Sequence, residues 1–555
     1  MIGKRSANIS STRGGDTALV AEIFAVAMLA GAGGLVFLAV QATYDTLALS
    51  NDGAQYLSAV RNFLAGNGVS TSTLYYDVQL ASPTPAPLLT WPPGFPLVAA
   101  AVTALGAASD IDALRLVPLM AHLFTGFVLY ALVRLVGHGY TLSLVVAAAW
   151  MLSVMSWIGT VQGFSDSLFG LFIALTALGL AAHKNDGKAH AWPWLLGAAL
   201  ALCMAILIRY QGVAYTVPLF FALVCLYSND AQSSASRWLN PLWLSALPVL
   251  VLLALLARNF MLSGVLTGGA VTDRGTPLNQ VAASVASIPP HYRTVAIALM
   301  ALVCLVALLE AARLCFAAAF RDERGGPDHA RRARLRAIAC FGLAGFALNF
   351  FLMLTLSLRS SAYALDTRNF LTALPPLAIA LLARMSLSGL SARFHSRSVQ
   401  TVMAAAVIAI AVIQAAVLYR SHFLGWLEQS RTTAIANLLD STRLPDGRPL
   451  VTLLRASEGG AKCIVSNESQ QLSIFSNLPT IGVPRRNMTN RDWNADDIIA
   501  KSRFHKCDYA IMFRDVVRDP TDQTRRMFSE GNMPGWFMPE VATPQLLAGR
   551  ILARR

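Results

Sequence analysis

Two carboxylates and a set of arginines stand beside apolar runs, where charge is expensive. Asp52 lies in the stretch Asn51-Asp52-Gly53-Ala54-Gln55-Tyr56-Leu57, just after the first long apolar run. Asp166 opens a later run, and Arg209, Arg258, Arg274, Arg359, Asp366 and Arg368 sit at the ends of others or in the loops between them. Ionisable groups at membrane-spanning segments are functional candidates by default. A guanidinium fork matches phosphate oxygens, and a low dielectric strengthens that pairing. A carboxylate beside such a phosphate is free to take a proton from an attacking hydroxyl. The set therefore suits a lipid-linked phosphate. Plainer readings stand next to this one. Asp is a preferred helix N-cap, which alone accounts for Asp52. Asp52 or Asp166 pairs internally with Arg209 or Arg258, and Arg359 snorkels to the interface.

The elements that position these residues are spans. The chain has 555 residues, 55% hydrophobic and 13% charged, with mean hydropathy +0.53, where a soluble domain carries about 25% charged residues. Windows of about 20 apolar residues recur, each long enough to cross a bilayer. The composition reads as a polytopic α-helical membrane protein. About eleven spans are expected, near 19–42, 113–136, 141–160, 167–183, 192–208, 211–228, 240–258, 294–318, 337–357, 369–385 and 400–418. Residues 43–111 form a long loop with its own amphipathic helix over 54–66, carrying Tyr56, Leu57, Val60, Phe63 and Leu64 on one side. The run 95–105 is too short to span and reads as re-entrant or interfacial. Residues 1–18 are a basic cytoplasmic lead with no cleavable signal pattern. That orientation puts Arg321, Arg324, Arg331, Arg332, Arg334 and Arg336 inside, as the positive-inside tendency requires. The candidate charges then fall outside, as does the tail, in what would be a plasma membrane. The net charge of +14 follows this loop pattern and does not point to nucleic acid.

Residues 420–555 differ in kind. Short apolar runs at 449–454, 463–466 and 509–513 read as buried strands, with helices over 468–475 and 496–502, giving a small extracytoplasmic α/β domain. Five cysteines fall in or beside apolar runs and read as packing residues. Cys463 and Cys507 could pair if the tail lies in an oxidising compartment. No Cys/His spacing suggests a metal. Tyr75, Tyr76 and Trp91 either stack on a sugar or anchor the loop at the interface, and the anchor reading is favoured. Gly268, Gly269 and Gly275 read as a mobile loop or a plain turn. His122 and His138 read as structural or solvated.

The motif Asn51-Asp52-Gly53-Ala54-Gln55-Tyr56-Leu57, with Trp91-Pro92-Pro93-Gly94-Phe95-Pro96 after it, resembles the first outer loop of bacterial relatives of protein O-mannosyltransferases and of the lipid A aminoarabinose transferase. These are membrane glycosyltransferases of the GT-C fold, family 39 type. Gly163-Phe164-Ser165-Asp166 is similar to that family's second acidic site. Ile208-Arg209-Tyr210-Gln211-Gly212, Ala257-Arg258-Asn259-Phe260 and Asp366-Thr367-Arg368-Asn369 with Pro375-Pro376 resemble its later motifs. The resemblance runs over most of residues 1–420. It departs at Gly53, where the family often has Glu, and at Asn369, where it has Tyr.

The resemblance implies an inverting transferase that moves a sugar from a polyprenyl phosphate to a lipid, glycan or protein acceptor at the outer face, without metal or cofactor. It implies Asp52 as general base and Asp166 as its partner in positioning. Arg209, Arg258 and Arg368 would hold the donor phosphate, and Tyr56, Trp91 and Arg274 would contact substrate. Two other classes remain: a flippase of lipid-linked saccharides, for which paired broken helices would speak, and a non-catalytic assembly protein whose tail binds a partner.

Overall fold

A computed structural model describes residues 13–43, 49–183, 192–227, 236–266, 293–320, 328–359, 372–388, 431–454, 461–476, 478–483, 495–513 and 533–552. The chain is a multi-pass α-helical membrane protein with an α/β domain at its C-terminal end. Helices apolar on all sides are either buried or lipid-facing, and a helix satisfies its backbone internally, as hydrocarbon requires. Among the described residues, five stretches are long and apolar enough to cross a membrane: Asp110–Leu135, Tyr210–Tyr227, Trp238–Ser263, Thr294–Ala319 and His329–Arg359. Shorter apolar helices accompany them, among them Asp166–Ala182, Trp192–Ile208 and Leu374–Leu387.

In chain order the first helices are α1 (Arg13–Thr43), α2 (Asn51–Leu64), α3 (Asp77–Leu80), α4 (Gly94–Ala104), α5 (Asp110–Leu135), α6 (Tyr140–Met151), α7 (Val154–Val161), α8 (Asp166–Ala182) and α9 (Trp192–Ile208). A 3₁₀ segment, Tyr210–Tyr215, then leads into α10 (Thr216–Tyr227). After these come α11 (Ser236–Ser263), α12 (Arg293–Phe320), α13 (His329–Arg359) and α14 (Leu374–Leu387). Among the described long helices α13 is the most buried, with 78% of its apolar window inside the protein. By contrast α11 and α12 are 28% and 22% buried over theirs, and they turn Trp243, Leu250, Leu299 and Leu302 outward to lipid.

The expected spans coincide with these helices, with three qualifications. The span at 141–160 is two helices, broken after Met151. The span at 211–228 begins as a 3₁₀ segment. The span at 400–418 lies outside the described residues. The short run at 95–105 is the 11-residue helix α4.

The tail contains α15 (Arg431–Ser441), α16 (Ser469–Phe475) and α17 (Ala495–Phe504), with strands β4 (Ile464–Ser466), β5 (Thr480–Gly482), β6 (Tyr509–Phe513), β7 (Phe537–Ala542) and β8 (Leu546–Ile551). The loop between α2 and α4 holds β1 (Ser70–Thr71), β2 (Thr73–Leu74) and β3 (Ala86–Pro87). The six-stranded sheet runs β2-β5-β4-β6-β8-β7. Its β2-β5-β4-β6 part is parallel and β8 and β7 are antiparallel. Period-two alternation sends Ala510 and Met512 to one core and Tyr509, Ile511 and Phe513 to the other. Residues 449–454 form no strand: Leu450–Leu454 is a 3₁₀ turn. Cys463 and Cys507 are disulfide-bonded, joining the approaches to β4 and β6. The edge strand β2 comes from the loop after α2, so loop and tail share one sheet.

Candidate active site

The site begins where α2 meets the turn between α7 and α8. Ser50 caps α2, its hydroxyl accepting from the Gly53 amide at 2.9 Å. Asp52 is therefore not the N-cap. It occupies the first turn, half-buried. The Ser50 amide donates to the Gln162 carbonyl at 3.0 Å, and the bare Cα of Gly53 packs on the same oxygen, where a Cβ would lie 2.6 Å away. Gly163, at φ +72°, turns the chain there, a conformation that glycine adopts without penalty. Asp166 then opens α8. Both carboxylates are thus placed by one backbone junction.

One turn after Asp52, the buried Tyr56 points its hydroxyl at Ser165, 3.2 Å away. Burial, then the charge of Asp52, push its phenol above the ordinary value; Asp166 adds to the rise, and Arg209 and the Ser165 contact oppose it. Both carboxylates and Arg209 are thus felt at one hydroxyl. Arg209 lies 2.8 Å from Asp166 through Nη1–Oδ1, with 15% and 13% of the two side chains exposed. That contact is an ion pair without the alignment of a directed hydrogen bond, and neither Asp166 oxygen has a hydrogen-bond partner among the described residues. Arg209 also donates from Nε to Gln211 Oε1 at 3.0 Å and from Nη1 to Ser165 Oγ at 3.4 Å. It reaches inward because the helix stops: α9 ends at Ile208, and Arg209 is extended at φ −148°, ψ 133° before the 3₁₀ segment.

Arg258 lies one shell away. Its Nη1 donates to the Leu88 carbonyl at 3.2 Å. Its neighbour Asn259 donates to the Tyr210 hydroxyl at 2.8 Å, which in turn donates to the Leu89 carbonyl at 3.2 Å. Arg258 is joined to the cluster through Tyr210, next in chain to Arg209. One helical turn further, Leu262 and Ser263 face Val78, Ala81 and Ser82 across a cleft of about 420 Å³.

Aromatic rings wall the loop side. Tyr56 meets Phe95 and Trp91 edge-on at 4.9 and 5.9 Å, and Trp91 meets Tyr76 at 5.6 Å. Tyr75 and Tyr76 are buried. His122, fully buried, packs on Trp150 and Trp157.

The structure thus brings together Asp52, Tyr56, Asp166 and Arg209, with Trp91 at their edge and Arg258 beyond Tyr210. Arg274 and Arg368 lie outside the described residues. Ser165 and Gln211 stand inside the quoted motifs with no role assigned to them from sequence, and Arg115 stands outside every motif. Arg115 is 3% exposed in α5 and donates from Nε to the Val161 carbonyl at 3.1 Å, fixing the α7–α8 turn. A cation inside an apolar run was the signal that could have found it.

No protein-family model matches the chain, and no characterised protein sequence matches it. Among solved structures, ArnT from Cupriavidus metallidurans in the apo state aligns at a TM-score of 0.45 and 11% identity, over 95% of this chain and 97% of that one. The Archaeoglobus fulgidus oligosaccharyltransferase in the apo form aligns at 0.45 and 11%, over 89% and 70%. The arabinofuranosyltransferase AftD from Mycobacteria aligns at 0.46 and 15%, over 95% and 40%.

Proposed function

We propose that this chain is an inverting glycosyltransferase that takes a sugar from a polyprenyl phosphate and transfers it to an acceptor on the non-cytoplasmic face of the plasma membrane. The observation that carries this reading is the meeting of Asp52 and Tyr56, from the loop helix α2, with Asp166 and Arg209 at the ends of the apolar helices α8 and α9. The motif resemblance supports the same reading, and it rests on the same residues.

Asp52 accepts the proton of the acceptor hydroxyl as its oxygen attacks the anomeric carbon. The bond from that carbon to the phosphate oxygen breaks with inversion, and the polyprenyl phosphate leaves with the electron pair. Arg209, with Arg258 and Arg368, offsets the charge that grows on the leaving phosphate, the kind of electrostatic stabilisation that commonly dominates catalysis. Asp166 holds Arg209 in place and helps position substrate; Tyr56, Trp91 and Arg274 shape the sugar pocket. The tail belongs outside the cytoplasm, consistent with the Cys463–Cys507 disulfide, since disulfides persist in oxidising compartments. The basic start of α13, from Arg331 to Arg336, then lies inside, as charge bias favours.

The test is transfer by the purified chain in detergent, with radiolabelled undecaprenyl-phosphate-linked hexoses and pentoses. Asp52→Asn is expected to abolish transfer while the protein still expresses and elutes as wild type. Retained transfer in that variant removes Asp52 from the base role.

A further inference from the structure

The tail domain touches the site at the residue beside the proposed base. Gln471, on α16, is 5% exposed, and its Nε2 donates to Asn51 Oδ1 at 2.9 Å. Asn51 directly precedes Asp52. The other end of the same amide, Oε1, is buried and has no hydrogen-bond partner among the described residues. Exchanging O and N in both amides does not remove the problem, because one polar end of Gln471 always lacks a partner. Buried polar groups in native proteins are nearly always paired, so an exception needs an explanation.

Contacts to α2 and to the helical bundle fix α16 in place. Arg61, on α2, donates from Nη1 to the Ser473 carbonyl at 3.1 Å while its Nε pairs with Asp110 at 2.6 Å. Ile474 is 3% exposed and belongs to the core of the helical bundle, not to the tail's own core. Gln471 is thus held against the first turn of α2 by contacts that follow it directly in the chain, at Ser473 and Ile474.

Resting on the proposed function, we infer that Gln471 completes the acceptor side of the site: its Nε2 is anchored by Asn51, and its Oε1 accepts a hydrogen bond from an acceptor hydroxyl poised next to Asp52. The tail would then help select a hydroxyl-bearing acceptor while the arginines hold the donor. A missing hydrogen bond to a bound hydroxyl is felt strongly, because the site's own polar group is left unpaired.

The experiment compares the full chain with Gln471→Met, which keeps length and apolar bulk, and Gln471→Glu, which keeps the acceptor oxygens. Donors are undecaprenyl-phosphate-linked hexoses and pentoses, and the hydroxyl probes are their methyl glycosides. Gln471→Met is expected to raise the KM for the glycoside on the order of tenfold, leaving the donor KM unchanged, and Gln471→Glu is expected to recover most of the loss. An unchanged glycoside KM in a Gln471→Met protein of wild-type melting temperature overturns the assignment and leaves the transferase reading intact. A parallel rise in donor KM also overturns it, since that marks a general disturbance of α2. Absence of turnover by the wild type on every donor and glycoside pair instead fails the parent reading, and this inference with it.

Discussion

At the residue scale, Gly53 sets the geometry of the site by having no side chain. Its Cα sits against the Gln162 carbonyl, and any Cβ would stand 2.6 Å from that oxygen. The glutamate often found at this place in the resembling family cannot be added here without moving α2 off the α7–α8 turn. Gly53→Glu is expected to cost about 1–3 kcal/mol, as overpacking does, and to lower transfer by separating Tyr56 from Ser165; melting temperature and kcat measured together check it. Arg209 and Asp166 give a second prediction. The pair is largely buried, and removing one partner of a buried pair costs about 3–5 kcal/mol because the other charge is left uncompensated. Arg209→Met is therefore expected to be strongly destabilising. The double variant Arg209→Met with Asp166→Asn should recover most of the stability in a thermal scan but none of the transfer, whereas an equally unstable double variant would show that the arginine matters for packing alone. Asp52, Asp166 and Arg209 were legible in the sequence because charge beside an apolar run is conspicuous. Ser165 and Gln211 were not, since neutral polar residues carry no such mark until the backbone brings them within reach. Capping, the plainer alternative for Asp52, falls to Ser50, two residues earlier, because capping is decided by local φ and ψ rather than by residue type.

Elements position these side chains through where they stop. Arg209 turns inward because α9 ends at Ile208, and that end is braced by α4: a Cβ on Gly94 would meet the Leu207 carbonyl oxygen at 2.5 Å. Close packing of this kind transmits displacement. Gly94→Val is expected to push α4 away from α9, move Arg209 relative to Asp166, and reduce kcat on the order of 100-fold, the loss typical of one misplaced stabilising group. Unchanged kcat would show that the α9 terminus is held by other contacts. Runs of apolar residues made the helices legible, because a span has a length fixed by the bilayer. The break between α6 and α7 carried no Pro or Gly signal, and so it was not expected. Strands of three residues are at the limit of what alternation can reveal: β4 and β6 were readable, whereas 450–454, with the same apolar character, closes into a 3₁₀ turn. The strands β7 and β8 went unread because β8 is buried by pairing with β6, earlier in the chain, and β7 is in turn held by β8.

At the scale of the whole molecule, loop and tail behave as one body. The pair Thr73–Leu74 forms the edge of the tail's sheet, a contact across about 400 residues of sequence that no local pattern announces. A second seam lies on the other side of the loop. His505 places Nε2 3.1 Å from the Leu80 carbonyl and Nδ1 2.9 Å from the Thr84 hydroxyl, and Lys501 donates to the same Leu80 carbonyl at 3.0 Å. In the neutral ring Nε2–H donates to Leu80 and Nδ1 accepts from Thr84. Burial, and secondarily the charge of Lys501, hold the His505 imidazole below its ordinary 6.5. The unfolded or undocked state then binds more protons than the docked one below about 6.5, so the stability this group contributes is fully present above 6.5 and is lost as pH falls from there through the docked pKa. Docking of the tail on the loop should accordingly loosen in mild acid. Hydrogen exchange of residues 78–84 in the purified protein at pH 7.5 and at pH 5.0 is expected to be faster at the lower pH after correction for intrinsic rates. In His505→Gln that pH dependence should be much reduced even if the exchange is faster overall. The same acid-induced loosening in His505→Gln would place the titrating group elsewhere and leave this seam a purely structural one.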